Sequence, residues 1–235
     1  MFKVITLLMA SAIVAGCAKT SISTINHTSA SLQPRPTRVL IQNFTVASQS
    51  IKTSSSALSK IKAMITDESS EKAKQELSAE VTDALSKELS KRINALGLTT
   101  GHAELNYQPA QDEIIISGNF SNIDEGNAAK RNLIGLGAGQ SSLDSHVKLL
   151  SASSQGVQEI LSFNAHSDSG NMPGAAVMGP AGLAAGAGAA TVAGVNVAKG
   201  AASAYKSNSA NQASDLADKI AETLSKYFVE QGWIQ

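Results

Sequence analysis

The stretch EIIISGNFSNI, residues 113–123, decides the fold of this 235-residue chain. Its isoleucines favour a β-strand, and side chains along a strand alternate between two faces. Ile114, Ile116, Gly118 and Phe120 therefore share one face. The pattern predicts a strand that turns this face toward a hydrophobic core.

Three other stretches have the composition of strands. Residues 38–46 (RVLIQNFTV) are rich in β-branched side chains. Residues 143–151 and 156–166 flank a short turn, and the second of them alternates apolar with polar side chains. Such alternation is typical of a half-buried antiparallel strand, so the two stretches are predicted to form a hairpin.

Two amphipathic helices are predicted in addition. Residues 70–96 repeat apolar side chains at helical spacing, and Gly97 follows where a left-handed residue commonly ends a helix. Residues 211–231 repeat the pattern, and Gly232 follows them. The predicted fold class is α+β, with a four- to five-stranded, mainly antiparallel sheet packed by the two helices. The stripe of the first helix consists of Leu77, Val81, Leu85, Leu89, Ile93 and Leu96.

The N-terminus has the order of a lipoprotein signal. A basic start ending at Lys3 precedes an apolar run over residues 4–15, and the sequence VAGC ends at Cys17. The run is too short to span a bilayer. Residues 1–16 are therefore predicted to be a signal peptide, and Cys17 the acylated, palmitate-bearing end of the mature chain. An ordinary signal peptide with a chance cysteine is the alternative.

The remainder is predicted to be a tether followed by one domain. Residues 17–37 are rich in serine and threonine and include Pro34-Arg35-Pro36, which predicts an extended, lipidated tether. Residues 38–235 are predicted to form a single α+β domain. Ala18, rather than an aspartate, follows the cysteine, which favours sorting to the outer membrane of a Gram-negative cell. The domain is then expected to face the periplasm.

Charge and cysteine content restrict the possible partners. The chain has 19 basic and 19 acidic side chains, and this balance argues against nucleic acid, which requires a basic surface. Cys17 is the only cysteine, so a lipidated chain has no thiol for a disulfide, a nucleophile or a metal site. No cofactor is predicted.

A Gly/Ala-rich segment, residues 170–204, is set apart by its lack of charge between Ser169 and Ala198. Small residues recur every fourth position over residues 182–202, which in a helix would make a groove for another helix. Three interpretations remain open: an excursion packed on the domain or partly disordered, a self-associating glycine zipper, and membrane insertion. The recurring residues are Gly182, Gly186, Ala190, Gly194, Ala198 and Ala202.

The densest motif runs from Asp124 to Ser141 (DEGNAAKRNLIGLGAGQS). It lacks the Gly-Lys-Ser/Thr of a P-loop and the G-x-G-x-x-G spacing of a dinucleotide site. Gly135, Gly137 and Gly139 instead repeat every second residue, which predicts one small-residue face on an extended segment. A packing role is therefore preferred to phosphate binding.

This motif resembles a family of bacterial lipoproteins known as domain of unknown function 4410. The resemblance spans roughly residues 38–235 and implies an envelope lipoprotein domain, but it supplies no activity. The matching positions are Gly118, Phe120, Asp124, Glu125, Gly126, Asn127, Arg131, Ile134, Gly135, Gly137, Ala138, Gly139, Ser141 and Gly232-Trp233.

Catalytic residues are not evident from the sequence. Glu125 and Arg131 are predicted to form a structural ion pair beside a glycine turn, with a ligand or partner contact as the alternative. The four histidines are scattered without metal-site spacing, and neighbours such as His166 and Ser167 point to opposite faces of a strand. The expected function is a non-catalytic accessory or interaction lipoprotein with an envelope partner. A glycine-zipper oligomer formed through residues 182–202 is the alternative.

Overall fold

The computed structural model describes residues 19–28, 32–53, 67–127, 138–170 and 208–235. These residues form eight strands, two α-helices and a short 3-10 helix at Ser48–Ser50. The helices are α1 (Asp67–Ala95) and α2 (Asn208–Glu230). The strands are β1 (Lys19–His27), β2 (Arg38–Gln42), β3 (Thr45–Val46), β4 (Ile51–Lys52), β5 (Thr100–Ala103), β6 (Glu113–Asp124), β7 (Ser142–Ser153) and β8 (Gly156–Asp168).

The strands form one mixed sheet in the order β1-β8-β7-β6-β2-β5. Strands β1, β8, β7 and β6 run antiparallel to one another in succession. Strand β2 runs parallel to both β5 and β6, and the short strands β3 and β4 continue its parallel pairing along β6. Strand β6 therefore joins the antiparallel half of the sheet to the parallel half.

Both helices pack on the same face of the sheet and contact each other. The predicted apolar stripe is buried from Leu77 to Ile93, and Leu85, Leu89 and Ile93 have no exposed surface. Leu96, the last residue of the predicted stripe, follows the end of α1 and is partly buried. On the outer side of the helix pair, the Arg92 guanidinium bridges the two helices, with Nε 2.5 Å and Nη2 2.7 Å from the carboxylate oxygens of Asp218. Neither helix in the described residues is long and apolar enough to cross a membrane.

Gly118 is closely packed on the face of the sheet that the helices cover. A Cβ atom at this position would lie 2.5 Å from the carbonyl oxygen of His146 and 2.6 Å from Cε2 of Phe44. The Phe44 ring in turn lies 5.8 Å, centroid to centroid, from the ring of Phe120. Only glycine leaves room for the Phe44 ring, so the pattern Gly-x-Phe in β6 is a packing requirement.

A buried carboxylate fixes the start of β6. Glu113, whose side chain is only 3% exposed, accepts hydrogen bonds from the Ala110 backbone N–H at 3.0 Å and the Tyr107 hydroxyl at 2.8 Å. Arg38 of β2 also donates to it. The Ala110 N–H, followed by Tyr107 and Arg38, lowers the pKa of Glu113 despite its burial. The charged form therefore ties the start of β6 to the parallel strand beside it.

Glycines end both helices, as predicted. Gly97 has φ +81° and Gly232 has φ +70°, the left-handed conformation that L side chains resist. After Gly232 the Trp233 backbone N–H returns to the Phe228 carbonyl at 2.9 Å. The Trp233 indole is buried and donates to the carbonyl of Gln33 at 2.8 Å.

The tether predicted over residues 17–37 is wrong for the residues that the structure describes. Lys19–His27 is strand β1, paired antiparallel with β8. Gln33, farther along, donates its backbone N–H to the Gln231 side chain at 2.7 Å. The strand is hard to detect in the sequence because Ile22 is the only apolar side chain of β1 that packs against the core. Cross-strand pairing can override such a weak local pattern. Cys17 lies outside the described residues.

The α+β class is confirmed, but a four- to five-stranded, mainly antiparallel sheet understates the eight-stranded mixed sheet. The missed strands are β1, β4 and β5, and the strand predicted over residues 38–46 is divided into β2 and β3. Strand β5 has four residues and no alternation of apolar with polar side chains that would mark it in the sequence. Residues 171–207, which include most of the Gly/Ala-rich segment, lie outside the described residues.

Replacing Ile22 tests whether β1 belongs to the domain. We expect Ile22→Ala to lower the free energy of unfolding by about 1–2 kcal/mol, because its side chain packs against the core. Ile25→Ala is the matched control on the same strand, since that side chain is 50% exposed. Urea unfolding of a chain that begins at Ala18 measures both. Equal effects of the two substitutions would contradict the packing of β1.

Candidate functional site

The family motif begins as a tight turn at the end of β6. The Asp124 carboxylate accepts the backbone N–H of Gly126 at 2.8 Å, and Gly126 has φ +66°. A Cβ atom on Gly126 would lie 2.3 Å from the carbonyl oxygen of Gln140. The backbone N–H of Asn127 then donates to the Gly139 carbonyl at 2.9 Å. Asp124 and Gly126 are therefore explained by backbone geometry.

The remaining motif residues are only partly described. Glu125 donates its backbone N–H to the carbonyl of Lys52 at 3.0 Å, and the Lys52 ammonium lies 4.0 Å from the Asp124 carboxylate. Arg131, Gly135 and Gly137 lie outside the described residues, so the Glu125–Arg131 pair stays a prediction. Gly139 has φ +75° and lies in a turn. At Gly139, therefore, the predicted extended segment is wrong.

A second turn of the same form ends β8. The Asp168 carboxylate accepts the backbone N–H of Gly170 at 2.8 Å, and Gly170 has φ +70°. The intervening Ser169 exchanges two hydrogen bonds with Ser141, its backbone N–H donating at 3.0 Å and its hydroxyl accepting at 3.2 Å. The pattern Asp-x-Gly occurs at residues 124–126 and again at residues 168–170. This repeat indicates two turns of the same form, and the second of them was not predicted from the sequence.

The N-terminal part of α2 is hydrogen-bonded to Ser141, the residue that also contacts Ser169. The Gln212 side-chain amide, which is 3% exposed, donates to the carbonyl and hydroxyl oxygens of Ser141 at 3.1 and 3.0 Å. Ser141 itself is fully buried. The strand ends and the helix thus converge on one buried serine, which accounts for the serine that ends the motif.

The face of the sheet away from the helices carries a cluster of polar side chains, Asn122, Asp144, His166 and Asp168. His166 Nδ1 lies 2.7 Å from Asp144 Oδ1, and His166 Nε2 lies 3.3 Å from Asp168 Oδ2. Asn122 donates to the other oxygen of Asp144 at 3.1 Å. These side-chain hydrogen bonds connect strands β6, β7 and β8 in addition to their backbone pairing.

The two carboxylates determine the protonation of His166. A neutral imidazole can donate from only one nitrogen, whereas the imidazolium can donate from both. Partial burial lowers the pKa of His166, but the hydrogen bonds and negative charges of Asp144 and Asp168 outweigh it. The pKa is therefore raised above its ordinary value. The geometry favours a cation held between two anions.

The cluster borders an open polar cavity of about 350 Å³. Its lining includes Ser23 of β1, Ser121 of β6 and Asn164 of β8, besides Asp144 and His166. Both ring nitrogens of His166 face carboxylates, so neither is directed at a hydroxyl as in a Ser-His-Asp triad. Ser167 is buried on the opposite face, as the strand alternation predicted. Within residues 19–28, 32–53, 67–127, 138–170 and 208–235, no three His, Cys, Asp or Glu side chains form a metal-binding group.

The described residues define an α+β domain with one mixed sheet and two helices on one face of it. The turn at residues 124–127 lies at one end of this sheet. The chain belongs to the family described as a domain of unknown function (DUF4410), whose sequence profile matches residues 39–186. This confirms the resemblance predicted from the motif. A search of curated proteins found no match.

Solved structures with a similar arrangement include two of PelC from Paraburkholderia phytofirmans. The PelC dodecamer is 13% identical, with 65% of this chain and 86% of that chain covered, at a TM-score of 0.36. A variant PelC dodecamer is also 13% identical and covers 65% of this chain and 87% of that chain, at a TM-score of 0.34.

Gly126→Ala tests the turn at the end of β6. Both Gly126 and Gly97 have positive φ, but a Cβ atom on Gly97 meets nothing within 4 Å. We expect Gly97→Ala to cost about 1–2 kcal/mol of stability for the backbone conformation alone. Gly126→Ala should cost about 1–3 kcal/mol more, because the Gln140 backbone must move. Urea unfolding of both variants gives the difference, and equal costs would contradict the close approach.

His166 predicts a pH dependence of stability. Because its folded-state pKa is raised, its stabilising contribution is complete below the unfolded value of about 6.5 and is lost as pH rises through the folded value. The thermal midpoint should therefore fall as the pH rises above about 6.5 in the natural protein, and His166→Gln should flatten this part of the profile. His102→Gln, an exposed substitution on β5, is the control. A profile that His166→Gln leaves unchanged would rule out the charged bridge.

Proposed function

We propose that this protein is a non-catalytic lipoprotein of the cell envelope that acts as an accessory or interaction module. Cys17 anchors it in the outer membrane, and the domain faces the periplasm. The observation that carries this proposal is strand β1, an edge strand of nine residues that begins two residues after Cys17. Its partner is an envelope protein that adds to the edge of the sheet.

The chemistry of the edge supports this role. Among the described strands β1 pairs only with β8, so the backbone groups on its other side can pair with an incoming strand. Residues 23–27 are exposed, and the strand contains no proline. Register shifts between Ser23 and Asn26, where Thr24 has φ +53°, so the regular part of the edge is Lys19–Ser23. At the opposite edge β5 is only four residues long.

The polar cluster supports a non-catalytic role. His166 lies between the carboxylates of Asp144 on β7 and Asp168 on β8, and its contacts with them connect the two strands. Its ring nitrogens are not directed at a nucleophile, and the turns beside it are explained by backbone hydrogen bonds. The arrangement is that of a structural polar network.

Site-specific crosslinking in cells tests the proposed edge contact. A photo-crosslinking amino acid replaces Ile25, two residues beyond the regular part of the β1 edge, or, as the matched control, Val229 near the end of α2. Their side chains are 50% and 52% exposed, so both positions are equally accessible. We expect a discrete crosslinked species from position 25 that is absent from position 229, with mass spectrometry identifying an envelope protein.

Two results would contradict the proposal. Equal capture from both positions would mean that the β1 edge has no special role. Crosslinks only between copies of this chain, through residues 182–202, would instead favour the glycine-zipper oligomer. Those residues lie outside the described part of the chain, so the crosslinking result decides between the two functions.

A further inference from the structure

One row of paired residues crosses five strands at one end of the sheet. Lys19 pairs with Asp168, Asp168 with Ser142, Ser142 with Asp124, and Asp124 with Lys52. The two Asp-x-Gly turns lie beside this row. We call this end of the sheet the turn end. The opposite end contains the start of β6 and the β7–β8 turn, with Gln111 and Gln155 exposed there.

The segment between the predicted lipidation site and the turn end is short. Lys19 is already paired with Asp168 on the neighbouring strand and follows Cys17 by two residues. Two residues of extended chain span at most about 7 Å. An acylated Cys17 would therefore bring the row of residues at the turn end to the level of the lipid headgroups.

From this geometry we propose that the turn end is the membrane-facing surface of the domain and that its partner is the lipid bilayer. The opposite end then points away from the membrane. This inference rests on the proposed lipidation of Cys17 and adds to it an orientation.

Hydrophobic exposure alone would suggest the reverse orientation. Tyr107, Val157 and Val229, which are 39%, 40% and 52% exposed, lie toward the opposite end. Strand β6, however, has 12 residues and extends roughly 36–40 Å. A link of about 7 Å cannot reach that far, so the covalent attachment decides the orientation and leaves these apolar side chains directed away from the bilayer.

The charged side chains at the turn end do not attract the domain to anionic lipid. Lys19 and Lys52 stand beside three carboxylates, Asp124, Glu125 and Asp168. Two of these carboxylates accept backbone N–H groups within their turns. A surface without excess positive charge gains little from anionic lipid. The acyl chains should therefore hold the protein alone, and a high-salt wash should not release it.

Fluorescence quenching by the membrane tests the orientation in the full lipidated protein. Cys17 is the only natural cysteine, and acylation blocks its thiol, so in the lipidated protein a thiol-reactive fluorophore labels only an introduced cysteine. Three single variants are compared: Lys52→Cys at the turn end, and Gln111→Cys and Gln155→Cys at the opposite end. All three positions are exposed. Each is reconstituted into phosphatidylethanolamine vesicles that contain a lipid with a spin-labelled headgroup.

We expect quenching at position 52 to be several-fold stronger than at positions 111 and 155. Comparable quenching at all three, or stronger quenching at 111 or 155, would overturn the orientation. Matching thermal midpoints of the three variants show that each is folded, and Cys17→Ser combined with Lys52→Cys should abolish quenching.

Metabolic labelling with radioactive palmitate separates the two possible failures. A chain that takes up no label, in which Cys17→Ser changes nothing, would overturn the lipidation and the orientation together. A labelled chain with uniform quenching would overturn the orientation and leave the lipidation intact.

Discussion

The architecture depends on the close contact between the Phe44 ring and the bare backbone of Gly118 in strand β6. This contact sets the spacing between β6 and the segment that joins β2 to β3. Strand β6 pairs with β7 on one side and with three parallel strands on the other. Because the register of β6 determines which side chains face the helices, a larger residue at position 118 would disturb both halves of the sheet.

The two ends of β6 are fixed by different chemistry. At its start, the buried Glu113 carboxylate gathers donors from Ala110, Tyr107 and Arg38. At its end, Asp124 holds a glycine turn that is matched by Asp168 on β8. The cross-strand row at the turn end therefore brings the family motif, the entry of β1 and the exit of β8 to one surface. The proposed anchoring at Cys17 would place that surface against lipid.

Elements with a strong local pattern could be predicted from the sequence. The strand expected at residues 113–123 occurs at Glu113–Asp124, and the helix expected at residues 70–96 occurs at Asp67–Ala95. Alternation in strands and helical spacing in α1 follow directly from which side must meet the core. Strand β1 could not be predicted in this way, since most of its side chains are exposed and its pairing with β8 consists of backbone hydrogen bonds.

In the turns and the polar cluster, too, some features could be predicted from the sequence and others depend on the tertiary structure. Sequence alone determined that Gly97, Gly126 and Gly232 mark turns, because glycine is the residue that readily adopts positive φ. The tertiary structure decided that the Gln140 backbone lies where a Cβ atom on Gly126 would be. It also decided that His166 lies between Asp144 and Asp168, whose residues come from two strands. Contacts between distant residues depend on strand register, which local sequence patterns do not specify across a whole sheet.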